Sequence, residues 1–92
     1  MTAVEVPDIP QVDRVTLAAA SAALVVIDMQ NDFVAEGGTL RVPDAAATLP
    51  AIATLLATAR AAGAHVVFTQ DTHGTDDPEF ALWPPHAREG TW

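Results

Sequence analysis

The chain has 92 residues, half of them apolar, with 4 basic against 12 acidic side chains and a formal net charge of −8. That describes at most one small globular domain, and it opposes the basic footprint that nucleic acid or an anionic membrane surface requires. Neither Cys nor Lys occurs, which excludes from these residues a disulfide framework, a thiolate-held metal, a thiol nucleophile, a Schiff-base lysine and a phosphate-loop lysine.

Residues 1–16 carry Pro7, Pro10 and the acids Glu5, Asp8 and Asp13 without a lasting hydrophobic period. They read as an extended arm, which we take to residue 21. The longest apolar run, Leu17 to Ile27, is too short for a bilayer span, which needs about 20 residues. It does not read as a signal peptide either, because acids precede it and it leads into Asp28-Met29-Gln30-Asn31-Asp32 instead of a small-residue cleavage site. A cytoplasmic location is the resulting expectation.

Ala22 to Ile27 is continuously apolar and β-branched toward its end, which suits a strand covered on both faces, as in a parallel sheet. After Gly37-Gly38, the residues Leu49, Ile52, Leu55, Leu56 and Ala59 fall on one helical face and predict a helix from about Thr48 to Ala62. Thr48 is its expected cap, Pro50 is tolerated in its first turn, and Gly63 suits its left-handed end. His65 to Thr69 then reads as a second buried strand, completing a βαβ unit with parallel neighbours and a right-handed crossover. From Asp71 to Trp92, with Gly74, Pro78, Pro84, Pro85 and Gly90, no period is visible, and so long a loop suggests function or an early stop. Two strands and one helix also leave an unpaired edge and an uncovered face, as the first half of a larger α/β domain would.

Ligands of open α/β sheets bind beyond the carboxyl ends of the strands. Both strands end there in an acid, Asp28 and Asp71, either of which could instead cap a helix or accept a loop hydrogen bond. A dinucleotide or phosphate loop is not expected, since no Gly lies between Ile27 and Gly37. An aspartyl phosphatase would want a second acid where Gln30 stands. Asp71 and His73, at i and i+2 of an extended segment, share a face. With His86 they form a carboxylate-and-two-imidazole set that suits Zn, Fe or Mn, although loop histidines are also found simply solvated. His65, at the far end of its strand, reads as structural.

Several segments together resemble the isochorismatase-like cysteine hydrolases, in the nicotinamidase-like branch. They are Ala23-Leu24-Val25-Val26-Ile27-Asp28-Met29-Gln30-Asn31-Asp32-Phe33, Gly37-Gly38-Thr39-Leu40, Thr69-Gln70-Asp71-Thr72-His73, Pro78-Glu79-Phe80 and Trp83-Pro84-Pro85-His86. The resemblance covers residues 22–92 and implies the amino-terminal part of a three-layer α/β/α doubly wound parallel sheet, Rossmann-like in build. It implies an Asp-Lys-Cys triad in which Asp28 is the aspartate, and a divalent metal on Asp71, His73 and His86. Phe33 and Trp83 match substrate-flanking aromatics, although such rings also serve simply as core or lid packing. A further metal-ligating His of nicotinamidases, between His73 and Trp83, is missing here.

The implied activity is cleavage of a C–N bond in a small amide or carbamoyl substrate, without a nucleotide cofactor. The triad Lys and Cys belong to later strands of the family and do not occur in this sequence. The expectation is therefore a truncated hydrolase domain, inactive alone, that is homo-oligomeric when complete or completed by a second chain carrying the Lys and Cys half. The alternative is a non-catalytic metal-binding or partner-docking module left from such an enzyme.

Overall fold

The computed structural model describes residues 2–92. Its centre is a parallel pair of strands, β1 (Ala23–Ile27) and β2 (His65–Thr69), in register from Ala23↔His65 to Ile27↔Thr69. A short helix α1 (Asn31–Val34) follows β1, and α2 (Leu49–Ala62) makes the crossover between the strands. The βαβ unit expected from the hydrophobic periods is therefore the one formed. Residues 2–18 carry no regular element and are exposed, ahead of a single 3-10 turn at Ala19–Ser21.

Local chemistry explains the ends of α2. Gly63 takes the left-handed conformation, with φ 79°, and its N–H returns to the carbonyls of Ala59 and Arg60, satisfying the last turn. Pro50 sits in the first turn, where its missing N–H leaves nothing unpaired. Thr48 does not cap the helix as expected. A 3-10 turn, Ala45–Thr48, runs straight into α2, so Thr48 is already helical and its hydroxyl donates backward to the Ala45 carbonyl at 2.6 Å. A capping side chain needs extended backbone at that position, and the preceding turn removes it.

Turn and helix together make an 18-residue stretch, Ala45–Ala62, of mean hydropathy 1.3, long and apolar enough by composition to cross a membrane. The sequence reading did not single it out. Alanine, leucine and isoleucine together supply that hydropathy, and in the structure α2 lies against both strands. Ile52, Leu56 and Ala59 are half-buried, while Leu49 and Leu55, expected on the same buried face, stay exposed. A two-stranded sheet is narrower than the apolar stripe laid over it.

Burial alternates along β1, as the pleat requires, but in β2 only Val66 is shielded and Phe68 is 58% exposed. Leu24, Val26 and Val66 are shielded, with Val26 only 7% exposed, whereas Val25, Ile27 and Val67 remain open, Ile27 at 66%. The expectation of cover on both faces therefore fails for these residues, and the expectation of one open face holds. Val26, Val34 and Ala87 are the buried apolar residues. Accessible surface totals 7529 Å², against about 5,100 Å² for a compact monomer of this mass. The radius of gyration is 18.2 Å, against about 12 Å.

Candidate active site and metal centre

The turn after β1 is built around polar side chains at alternate positions. Asp28 adopts a left-handed backbone, φ 52°, which Asp tolerates better than most residues. Its Oδ1 accepts from the Thr69 hydroxyl at 2.7 Å, and its N–H donates to Thr69 Oγ1 at 3.0 Å. The carboxylate is thereby fixed at the carboxyl ends of both strands. Two residues on, the Gln30 amide brackets the Asp71 backbone: its Nε2 donates to the Asp71 carbonyl and its Oε1 accepts from the Asp71 N–H, both at 2.8 Å. Two further on, Asp32 Oδ2 accepts from the N–H of Ala87 at 2.8 Å.

Asp71 and Ala87 belong to the long loop, which a 3-10 turn at Pro78–Ala81 and a parallel bridge, His73↔Arg88, fold back on itself. Folding the loop brings four donor atoms together. His73 Nε2 lies 2.8 Å from Asp71 Oδ2 and 3.1 Å from Glu79 Oε2, and His86 Nε2 lies 3.6 and 3.7 Å from the same two oxygens. The ring centroids of the two imidazoles are 4.8 Å apart. Donors bound about 2.0–2.1 Å from a tetrahedral ion sit about 3.3 Å from one another, so these separations bracket a single metal site.

Two further observations point to a cation. Glu79 Oε2 is buried without a hydrogen-bond partner, an orphaned anionic atom facing the imidazoles. Each imidazole is also held by its other nitrogen, leaving Nε2 directed at the cluster. His86 Nδ1 donates to the Pro84 carbonyl at 2.7 Å, and His73 Nδ1 pairs with Asp77 Oδ2 at 3.0 Å. Outer partners of this kind fix the tautomer and direction of metal-ligating histidines. Asp71, His73 and His86 form one set of ligand atoms within reach of a single ion, and His73, Asp77 and Glu79 form another; one neutral imidazole presents one lone pair, so Asp77 is an outer partner, and Glu79 approaches the first set from the side of the two imidazoles.

The carboxylates around His73 also shift its titration and that of Asp77. The Asp77 hydrogen bond, with Asp71 and the charge of Glu79 behind it, raises the His73 pKa above its ordinary value of 6.5 against opposing desolvation. Asp77 is held below its ordinary 3.8, first by the N–H of Glu79 and then by His73.

Of the residues singled out in the sequence, Asp71, His73 and His86 converge, and Gln30 ties Asp71 to the turn that carries Asp28. Phe33 lies against the His86 ring, with centroids 5.7 Å apart, and Phe80 flanks both imidazoles. Trp83 is 52% exposed and its ring stacks on none of the described rings; its backbone N–H donates to the Glu79 carbonyl. His65 sits at the opposite end of the sheet, as expected. Sequence reading missed Glu79, Gln30 and Asp32. For Glu79 a signal existed: the stretch where a further His is missing offers Asp76, Asp77 and Glu79 as its remaining ligand types. An open cleft of about 320 Å³ at the same sheet edge is lined by Gln30, Phe68, Thr69 and Trp92, but by neither Asp28 nor the imidazoles.

A parallel βαβ unit with an acid at the end of each strand and an imidazole–carboxylate cluster beyond them places a candidate metal centre at the ligand-binding edge of an open parallel sheet. The sequence profile of the isochorismatase domain matches residues 22–92, and the chain belongs to that family. It is 46% identical over 77 residues to the nicotinamidase/pyrazinamidase of Mycobacterium tuberculosis, a match covering 75% of this chain and 40% of that protein. It is 41% identical over 70 residues to the ureidoacrylate amidohydrolase RutB of an Enterobacter species, covering 71% of this chain and 30% of that one. Among solved structures, the pyrazinamidase/nicotinamidase of Streptococcus mutans superposes with a TM-score of 0.69 at 41% identity, over 75% of this chain and 40% of that one. An isochorismatase-like hydrolase from Alkaliphilus metalliredigens also gives 0.69, at 37% identity and 76% and 40% coverage. The chain thus spans about two fifths or less of the length of these relatives, and its fold is an amino-terminal part of theirs.

Proposed function

We propose that these residues supply the aspartate and the metal centre of an amidohydrolase acting on a small amide or carbamoyl compound. The observation that carries the reading is the convergence of Asp71, His73, Glu79 and His86 on one point, with an orphaned carboxylate oxygen, beside the strand end that holds Asp28. The donor set fits Zn, Fe or Mn. When bound, such an ion supplies a Lewis acid that orients and polarises a substrate or water. No nucleotide cofactor is part of the proposal, and the site would work in the cytoplasm.

Asp28 is the proton acceptor in this scheme. Thr69 occupies Oδ1, leaving Oδ2 for a thiol S–H. As that proton moves to Asp28, the sulfur bonds the carbonyl carbon; the C–N bond breaks, the amine leaves with a proton, and water later cleaves the thioester. Phe33 and Trp83 would flank the substrate. The thiol, and a lysine to assist it, must come from outside these 92 residues, which contain neither.

The open sheet face at Val25, Ile27 and Val67 favours a second reading, a metal-binding or partner-docking module without turnover. The two are separated by combining the chain with a polypeptide that carries the later strands, lysine and cysteine of the family, and following ammonia release from nicotinamide and from ureido compounds. The amidohydrolase reading expects activity that Asp28→Asn abolishes. A stable complex without hydrolysis would favour the module.

A further inference from the structure

We propose that Asp32 is a positioning residue that sets the direction of the His86 imidazole through the His86–Ala87 peptide; the proposal rests on the metal-centre reading above. Ala87 is buried and adopts φ 47°, a left-handed backbone in which a Cβ crowds the following carbonyl. A non-glycine residue stays there only when its surroundings hold it. Both of its backbone groups are held: the N–H by Asp32 Oδ2 and the carbonyl by the N–H of His73, each at 2.8 Å. The peptide that follows one imidazole is thus clamped between α1 and the backbone of the other imidazole.

Asp32 is built for reach. It lies in the first turn of α1, where an acid commonly serves its own helix, yet its carboxylate bonds a residue 55 positions away. Its backbone is braced from behind. The N–H of Leu40 donates to the Asp32 carbonyl at 3.0 Å, and Gly38 passes so close that a Cβ there would lie 2.5 Å from the same oxygen. Phe33, the next residue, presses on the His86 ring. His86 is only 5% exposed and donates Nδ1–H to Pro84, so its Nε2 position is fixed by where the 84–87 backbone runs. Asp32 is not one of the donor groups; its effect on a metal passes through that backbone.

The test titrates Co²⁺ into the full 92-residue chain, reading the visible d–d band and the affinity, for the native protein, Asp32→Ala, Asp32→Asn and His73→Ala. Loss of an outer partner of a metal ligand typically costs about 10–100-fold in affinity, and that is the drop expected for Asp32→Ala, with an altered band. Asp32→Asn keeps an acceptor for the Ala87 N–H and should recover most of the affinity and the native band. In the metal-free proteins, the Ala87 amide should exchange slowly in the native chain and in Asp32→Asn. It should exchange fast in Asp32→Ala. A native band and affinity in Asp32→Ala, with binding lost in His73→Ala, overturns the positioning role and leaves the metal centre standing. Unchanged binding in His73→Ala overturns the metal centre itself and the proposal with it. If Asp32→Ala does not fold, Asp32→Asn decides: a folded Asp32→Asn with a displaced band and a 10-fold or greater loss contradicts a role that any acceptor can fill.

Discussion

Changing Glu79 to Gln tests the donor that the sequence did not announce. The substitution keeps the size of the side chain and one carbonyl oxygen while removing the charge from Oε2, the buried atom that lacks a partner and lies 3.1 and 3.7 Å from the two imidazole nitrogens. A ligand touching the ion should matter at least as much as an outer partner, whose loss costs about 10–100-fold. Each tenfold is about 1.4 kcal/mol, so the expected penalty is at least about 1.4 kcal/mol, and about 2.8 kcal/mol at the upper end of that range. Calorimetric titration of Zn²⁺ into both proteins at one pH measures it, with His73→Ala as a reference for loss of an undisputed ligand type. Equal affinities for the native chain and Glu79→Gln, alongside weak binding by His73→Ala, would refute the four-donor centre and leave Glu79 an idle loop carboxylate.

Other expectations follow from the same geometry. Zinc binding needs neutral imidazole, and His73 is held above 6.5, so affinity should fall as pH drops through a value higher than an ordinary histidine would give. Asp77→Asn should move that midpoint to lower pH while weakening binding at high pH, and a pH series of titrations reads both. In the metal-free chain, the raised His73 contributes stability that is full below 6.5 and lost as pH rises through its folded value. The depressed Asp77 contributes stability that is full above 3.8 and lost as pH falls through its folded value, so the pair favours folding most between those figures. Gly38→Ala places a Cβ 2.5 Å from the Asp32 carbonyl and 2.6 Å from that of Asn31. Denaturant melts should show a loss of about 3 kcal/mol, the upper end for overpacking, since backbone cannot step aside. With Val25, Ile27 and Val67 open, the chain alone should self-associate or bind a hydrophobic dye. A monomer with one sharp unfolding transition in ultracentrifugation and calorimetry would contradict that.

The sequence was most legible where a period exists. Strands read from continuous apolar runs appeared at Ala23–Ile27 and His65–Thr69, and the 3.6-residue spacing located α2 to within one residue of Leu49–Ala62. It was least legible where a neighbour decides. Thr48 has the chemistry of a cap and lost that role to the turn before it, and Leu55 has the position of a core residue but lies where the sheet is too narrow to cover it. Asp71 and His73 could be paired because two residues apart on extended chain means one side, and they are 2.8 Å apart. Glu79 reaches the same point through a 3-10 turn in an aperiodic loop, where spacing carries no direction. Gln30 and Asp32 were quoted as parts of a motif without a task. Their partners lie 41 and 55 residues away, a distance over which only the folded chain brings them together.

The metal chemistry proposed for this chain depends on Asp71, His73, Glu79 and His86 closing on one ion. X-ray absorption at the zinc edge of the loaded chain measures that most directly, because it counts and types the atoms around the metal. The account predicts two imidazole nitrogens and carboxylate oxygens at about 2.0–2.2 Å. Zinc held by oxygen alone, as on scattered surface carboxylates, with no imidazole in its shell, would contradict it.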